Sequence, residues 1–150
     1  MMRLERILLV EDDPHDRELT LAALADARLK NEIVAVQDGE QALDFLYRRG
    51  GFAKRKTGNP ILVMLDLKMP KVDGIEVLRT MRGDPLLKLI PAVVLTSSKE
   101  EHDLRRCYEL GANAYVVKPV DFEQFIAAVK QLGLFWAVLN EPPPSFVQEA

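Results

Sequence analysis

The sequence predicts a doubly wound α/β domain, in which a five-stranded parallel sheet carries helices on both faces. Short runs of Val, Ile and Leu recur along the chain and are apolar at every position, which is typical of parallel strands covered on both sides. Stretches of helical length separate these runs, and such crossovers return the chain to the same edge of a sheet. We take the order 2-1-3-4-5, with five helices, from the commonness of that arrangement and not from any residue.

A helix-start signal follows each predicted strand: an N-cap residue with an acid or amide three positions later. Pro14 also fits a first helical position, where the missing N–H costs nothing. The predicted strands are Ile7 to Val10, Ile33 to Val36, Ile61 to Leu65, Ala92 to Leu95, and Ala114 to Val117. The capping pairs are Asp13 with Asp16, Asp38 with Gln41, Asp73 with Glu76, Ser98 with Glu101, and Asp121 with Gln124.

Two segments lie outside this plan. Residues 48 to 60 carry glycines and five basic side chains, which predicts a long solvated loop before the third strand. The prolines from Pro142 to Pro144 end the last helix, so we expect a domain over residues 1–141, with an extended last helix, and a mobile tail over 142–150.

Composition restricts the partners and the compartment. The 150 residues carry a net charge of −3, which argues against nucleic-acid or membrane-surface binding because both need a basic face. The single cysteine, Cys107, cannot form an internal disulfide, and the first residues lack the apolar stretch of a signal peptide. The longest apolar run, Leu134 to Leu139, falls short of the roughly 18 residues that a membrane helix needs. We therefore expect a soluble cytoplasmic protein.

Chemically active side chains follow four of the predicted strands. Because ligands bind outside the carboxyl ends of parallel strands, we expect these side chains to meet at one edge of the sheet. They are Glu11, Asp12 and Asp13 after the first strand, Asp66 after the third, Thr96 after the fourth, and Lys118 after the fifth.

This cluster predicts a magnesium site and phosphoryl transfer. Carboxylates at Glu11, Asp12 and Asp66 would repel one another, and Mg²⁺ supplies the counter-charge through the hard oxygen ligands that it prefers. Asp66 is the candidate nucleophile, since aspartyl phosphates are known covalent species. Lys118 would neutralise the phosphoryl oxygens, and the hydroxyl of Thr96 would bond one of them. His15 and His102 stand alone, so they indicate no zinc site.

The chain resembles the receiver domain of two-component response regulators from Arg6 to about Leu139. The motifs that carry the resemblance are Ile-Leu-Leu-Val-Glu-Asp-Asp-Pro (7–14), Val-Met-Leu-Asp-Leu-Lys-Met-Pro-Lys-Val-Asp-Gly (63–74), Val-Val-Leu-Thr-Ser-Ser (93–98) and Gly-Ala-Asn-Ala-Tyr-Val-Val-Lys-Pro (111–119).

The resemblance implies roles for single residues. Asp66 resembles the phosphoacceptor, Asp12 a direct Mg²⁺ ligand, and Glu11 a companion that acts through water. Lys68 would offer its backbone carbonyl to the metal, and Lys118 resembles the family's active-site lysine. Thr96 resembles the switch hydroxyl and Tyr115 the aromatic switch residue coupled to it. The resemblance also implies a cis peptide before Pro119 and a left-handed or tight-turn conformation at Gly74, whereas we assign Asp13 to capping the first helix.

A switch mechanism follows from the resemblance. A partner histidine kinase phosphorylates Asp66, the new charge draws Thr96 and Lys118 inward, and the face formed by the fourth helix, fifth strand and fifth helix changes shape. The receiver would accelerate its own phosphorylation and hydrolysis. We expect Lys68 and Ser98 to tune the hydrolysis, because they would flank the path of the attacking water. With about ten residues after Leu139, we expect output through a protein partner, a phosphorelay or a change of oligomeric state, and not through DNA.

The last helix ends in an unusual way. The run from Leu134 to Leu139 is apolar on all sides, and one face cannot bury all of it. We expect Phe135, Trp136 and Leu139 to form part of a homodimer interface, since a contiguous apolar patch is rarely left in water; the alternative is a core helix with scattered exposed side chains. This ending and the basic loop resemble single-domain regulators paired with phytochrome-type or related light- and redox-sensing histidine kinases.

The residues at the strand ends also disfavour three alternative functions. A haloacid dehalogenase-type phosphatase needs an acid two residues after its nucleophile, where this chain has Lys68. A flavodoxin-like FMN site needs a phosphate-cradling loop after the first strand, and Glu11, Asp12 and Asp13 would repel that phosphate. A receiver that docks without phosphorylation is disfavoured by the intact set of Asp12, Asp66, Thr96 and Lys118.

Overall fold

The computed structural model describes residues 6–29, 31–55 and 58–143. The strands are β1 (Ile7–Val10), β2 (Ile33–Val36), β3 (Leu62–Leu65), β4 (Ala92–Thr96) and β5 (Ala114–Val117). The α-helices are α1 (Pro14–Asp26), α2 (Gly39–Tyr47), α3 (Gly74–Gly83), α4 (Glu101–Glu109) and α5 (Phe122–Leu134). A 3₁₀ turn spans Gly50–Phe52, and a π-helical segment, Phe135–Leu139, continues α5.

All five strands are parallel and lie in the order β2-β1-β3-β4-β5. The predicted fold class and strand order are therefore confirmed. In this order β1 and β3 are central neighbours, with Val10 opposite Leu65. The first residues after these two strands thus emerge side by side at the carboxyl edge of the sheet.

A hydrophobic core covers each face of the sheet. On one face, side chains from α2, α3 and α4 pack against alternate residues of the strands, with Phe45, Leu78 and Met81 almost fully buried. On the other face α1 and α5 pack, with Leu24 and Val129 at their centre. Each large aliphatic or aromatic side chain buried in this way stabilises the fold by about 1.5–3 kcal/mol. The two layers hold the strand ends, and with them the site, in fixed positions.

Four of the five predicted N-caps are observed. Asp13, Asp38, Asp73 and Asp121 each accept a hydrogen bond from a backbone N–H of the first turn of the helix that follows. The fifth prediction is wrong, because α4 begins after Glu100 without a side-chain cap. The Ser98 hydroxyl instead donates to Asp103 Oδ2 at 2.6 Å. A charged acceptor draws this hydroxyl more strongly than a neutral backbone group does.

The structure also corrects two backbone expectations. The described residues contain no cis peptide bond, so the peptide before Pro119 is trans. Gly74 lies outside the left-handed region; it is the tight approach of α3 to the end of β3 that requires glycine here. A Cβ at Gly74 would lie 2.1 Å from the carbonyl oxygen of Asp66 and 2.8 Å from Leu67 Cα.

The basic loop is partly anchored to the domain. Phe52 packs edge-on against Phe45, with ring centroids 5.3 Å apart. The Arg55 guanidinium lies over the Phe45 ring at 4.3 Å, and its Nε donates to the Phe45 carbonyl at 2.6 Å. Arg6 lies near the same ring at 5.7 Å. Phe52 and Arg55 therefore hold the first part of the loop against α2. Lys56, one of the five basic residues, lies outside the described residues.

The last helix packs along α1 and then runs on beyond it. Phe125, Val129 and Gly133 are buried, and a Cβ at Gly133 would come within 2.7 Å of Leu24 Cδ2. Within the described part of the chain, Phe122–Leu139 is the one helical stretch with the length and mean hydropathy, 1.2, of a membrane span, and 17% of it is buried. A core helix meets that criterion too, and α5 forms one wall of the second core. The predicted tail, 142–150, lies mostly outside the described residues.

Candidate functional site

The site lies at the carboxyl edge of the sheet, where residues that follow β1, β3 and β5 meet the end of β4. The fourth strand is one residue longer than predicted, so Thr96 is its last residue and does not follow it. Backbone hydrogen bonds continue the sheet by one residue there: Asp66 N–H donates to the Val10 carbonyl, and Lys118 N–H donates to that of Thr96. The sheet therefore fixes where each of these side chains starts, because a displacement of one strand end would break its ladder hydrogen bonds.

Three carboxylates converge at the centre of the site. Oxygen atoms of Glu11, Asp12 and Asp66 lie within 4.8 Å of one another. Glu11 and Asp66 are buried and Asp12 is half-buried. A donor set made only of carboxylate oxygens, open on one side, suits a hard divalent cation that keeps several of its waters, as Mg²⁺ does. These residues fit the metal that the sequence predicts.

Lys118 holds the cluster together. Its ammonium is buried and donates to Glu11 Oε1 at 2.6 Å, to Asp66 Oδ2 at 2.9 Å and to Asp16 Oδ2 at 2.9 Å. A buried carboxylate pair without such a partner would be costly, and charge-assisted hydrogen bonds offset that cost. The lysine thus places one positive charge among three acidic side chains.

The electrostatics of the cluster follow from burial and from this lysine. Burial raises the pKa of Glu11 to about 7, with the Lys118 hydrogen bond acting in the opposite direction and the charge of Asp66 adding to the increase. Burial alone would lower the pKa of Lys118, but its hydrogen bonds to Glu11 and Asp16 and the charge of Asp66 hold that pKa above its ordinary value. Lys118 is therefore charged at neutral pH.

The switch candidates lie beside this cluster and are linked through one loop. Thr96 is buried, and its hydroxyl oxygen accepts a hydrogen bond from Ser98 N at 3.3 Å. The half-buried Tyr115 donates from its hydroxyl to the Ser98 carbonyl at 3.0 Å. Both side chains are therefore hydrogen-bonded to the backbone of Ser98. A movement of the β4–α4 loop would change both hydrogen bonds.

An open cleft of about 480 Å³ leads to the site. Its lining includes Asp12, the exposed Lys68, Met69 and Pro70 from the loop after β3, and Asp103 from α4. Asp12 is the member of the acidic cluster that faces this cleft, so the cleft opens onto the cluster at Asp12.

Two residues of the site escaped the sequence reasoning. Asp16 was predicted only as the partner of Asp13 in a capping pair, yet its carboxylate reaches Lys118. Asp103 binds Ser98 and lines the cleft. The first helical turn after a parallel strand lies beside the carboxyl edge of the sheet. The position of Asp16 in the first turn of α1 could therefore have indicated that its side chain lies near the site.

The predicted interface residues lie away from the site, at the end of the last helix. Phe135 and Leu139 are exposed by 47% and 74%. Trp136 is half-buried; it packs against the second core and lies edge-on to Phe135, with centroids 5.1 Å apart. The three residues thus form a short apolar end with Trp136 as its base.

Known proteins are similar to this chain in both sequence and fold. A sequence profile of the response regulator receiver domain matches residues 7–130. Response regulator Rcp1 of Synechocystis sp. is 38% identical over 87% of this chain and 87% of its own length. The structure of phosphorylated RcpA, a cyanobacterial phytochrome response regulator, is 38% identical with a TM-score of 0.88, over 95% of this chain and all of its own.

The bacteriophytochrome response regulator RtBRR is 60% identical, with a TM-score of 0.76, over 95% of this chain and 86% of its own. Sequence and fold thus agree with those of known receivers, and the chain belongs to the response regulator receiver domain family.

Proposed function

We propose that Asp66 accepts a phosphoryl group from the phosphohistidine of a phytochrome-type sensor histidine kinase, and that this modification switches a protein-binding surface. The observation that carries the proposal is the buried Asp66 carboxylate, which is paired with Lys118 and lies within 4.8 Å of two further acids. The similarity to RcpA and RtBRR, described as phytochrome and bacteriophytochrome response regulators, supports the class of kinase.

The transfer needs an attacking oxygen and charge stabilisation. An Asp66 oxygen forms the new P–O bond as the P–N bond of the phosphohistidine breaks; the histidine nitrogen keeps the electron pair and takes a proton from water. Lys118 donates to the oxygens on which negative charge is concentrated. Glu11, Asp12 and Asp66, with the Lys68 carbonyl, would hold Mg²⁺, which when bound would neutralise the carboxylates and the phosphoryl oxygens. A Mn²⁺-bound structure of Rcp1 supports a divalent metal in this fold.

The switch follows from the contacts beside the cluster. A phosphoryl group on Asp66 presents new acceptors to the Thr96 hydroxyl, whose present partner is the N–H of Ser98. Movement of Thr96 toward that group would shift the β4–α4 loop and the Tyr115 hydroxyl that bonds to it. The face of α4, β5 and α5 would then change shape. The same groups accelerate the later hydrolysis, so we regard the chain as a signalling protein that catalyses its own phosphorylation and dephosphorylation.

We also propose that a second copy of this chain covers the apolar end of α5. Phe135, Val138 and Leu139 are all largely exposed there. A contiguous patch of this kind is rarely left in water. Cys107 is a buried free thiol, in keeping with the cytoplasm as the proposed compartment.

Intact mass after incubation with acetyl phosphate tests the proposed function. Wild type should gain one phosphoryl increment that depends on Mg²⁺, and Asp66→Asn should gain none, because the amide is not a nucleophile. Asp26→Asn is the matched control, since it removes one acidic charge from exposed α1 and should label like wild type. Labelling retained in Asp66→Asn would contradict the assignment. A folded wild type that takes no increment would favour a docking module that works without phosphorylation.

A further inference from the structure

The ammonium of Lys118 has no donor to spare in this structure. It carries three N–H groups, and three carboxylates accept from it at 2.6–2.9 Å: those of Glu11, Asp16 and Asp66. A phosphoryl group on Asp66 brings several strong acceptor oxygens into the same space. For Lys118 to aim a donor at them, one of the present partners has to give way.

Asp16 differs from the other two partners in its position. It lies on α1, whereas Glu11 and Asp66 belong to the group of carboxylates that converge for a cation. Its side chain is 26% exposed, against 3% for Glu11 and 10% for Asp66. Water can therefore solvate the released Asp16 carboxylate far more readily than it can solvate the other two.

The first turn of α1 directs Asp16 to this contact. Its backbone N–H is capped by Asp13 Oδ1 at 3.3 Å, and its carbonyl accepts from the Thr20 hydroxyl at 2.7 Å. In a capping box the residue three positions after the cap reaches back to the N–H of the cap residue. Here Glu11 Oε2 accepts from that N–H at 3.2 Å, and the Asp16 carboxylate extends to the lysine instead.

We propose that Asp16 is a positioning residue, which holds Lys118 in the unphosphorylated state and is the partner that the lysine exchanges for the phosphoryl group. This inference rests on the proposed function, since it assumes that Asp66 is the phosphoacceptor. Asp16 competes with the phosphoryl oxygens for the same donor, so it lowers the affinity of the site for a phosphoryl group. The hydrogen bonds from Asp16 N–H to Asp13 and from Lys118 to the Asp16 carboxylate thereby couple the start of α1 to the phosphorylation state of Asp66.

Equilibrium binding of trifluoroberyllate, a phosphoryl analogue that complexes carboxylates, tests the inference in the presence of Mg²⁺. We expect Asp16→Asn to bind it about three- to tenfold more tightly than wild type, the range expected when one partly exposed charge pair no longer competes. Asp16→Ala should shift the affinity in the same direction. Mg²⁺ affinity measured alone should not rise, since Asp16 lies outside the converging carboxylates.

Asp26→Asn serves as the matched control, because Asp26 on the same helix pairs with Lys130 at 2.8 Å, away from the site. It should bind the analogue like wild type. A general structural loss would weaken binding, so a gain in affinity separates positioning from folding. Unchanged or weaker binding in Asp16→Asn, with wild type binding normally, would overturn the inference alone. Failure of wild type itself to bind would count against the proposed function.

Discussion

Gly74→Ala should disturb both the stability and the site, because this glycine touches the backbone that carries Asp66. The added Cβ would lie 2.1 Å from the Asp66 carbonyl oxygen, where ordinary contact begins at 3.4 Å. The neighbouring atoms are backbone atoms, so no side chain can rotate away. The start of α3 has to move from the end of β3, and the hydrogen bond from Gly74 N–H to the Leu67 carbonyl, 2.8 Å long, has to stretch.

The size of the effect follows from these two contacts. Overpacking of a tightly packed position costs about 1–3 kcal/mol. Weakening of a backbone hydrogen bond adds about 0.5–1.5 kcal/mol. We expect Gly74→Ala to lower the free energy of unfolding by about 2–4 kcal/mol in all, which at this chain length lowers the Tm by roughly 5–15 °C. Labelling of Asp66 by acetyl phosphate should fall as well, since the nucleophile moves with its backbone.

Urea unfolding followed by circular dichroism measures the change, and Gly83→Ala is the matched control. Gly83 lies at the other end of α3, and a Cβ there meets nothing within 4 Å. Its replacement should leave stability unchanged or raise it by up to about 1 kcal/mol through helix propensity. Equal unfolding midpoints for the two variants would refute the argument that close approach, and not backbone freedom, requires glycine at position 74.

Two further predictions concern the thiol and the end of α5. Burial raises the pKa of Cys107 to about 11. The folded protein should therefore react with a disulfide reagent at pH 8 far more slowly than an unfolded control does. Because the pKa in the folded state lies above the ordinary 9.0, the free energy of unfolding should fall as the pH rises from 9 to 11. Fast reaction in the folded state would contradict the burial. If a second copy covers Phe135 and Leu139, Leu139→Glu should reduce self-association in sedimentation velocity. The control Glu141→Gln, a conservative change beyond the patch, should leave self-association unchanged. A monomeric wild type would contradict the proposed dimer.

Local patterns in the sequence determined most of the scaffold. The runs from Ile7 and from Ile33 are apolar at every position, and the strands begin at those residues. Four aspartates cap the helices that follow, because an N-cap depends on residues only a few positions away. The residues after the strands predicted the site for a related reason: parallel strands all end at one edge, so order along the chain becomes proximity in space.

Contacts that depend on the folded chain could not be predicted in this way. Asp16 fits a capping pair by spacing, and only the folded chain shows that Lys118, 102 positions away, takes its carboxylate. Ser98 has the spacing of a cap and binds Asp103 instead. Gly74 was expected to adopt a left-handed or tight-turn conformation; its φ is not left-handed, and what it provides is space for the Asp66 carbonyl. Asp16 and Ser98 each bind a charged group, Lys118 and Asp103 respectively, and the folded chain sets the positions of those groups. The sequence by itself determined the strands, most of the caps and the three acids that converge at the site, whereas the tertiary structure decided which carboxylates share one lysine.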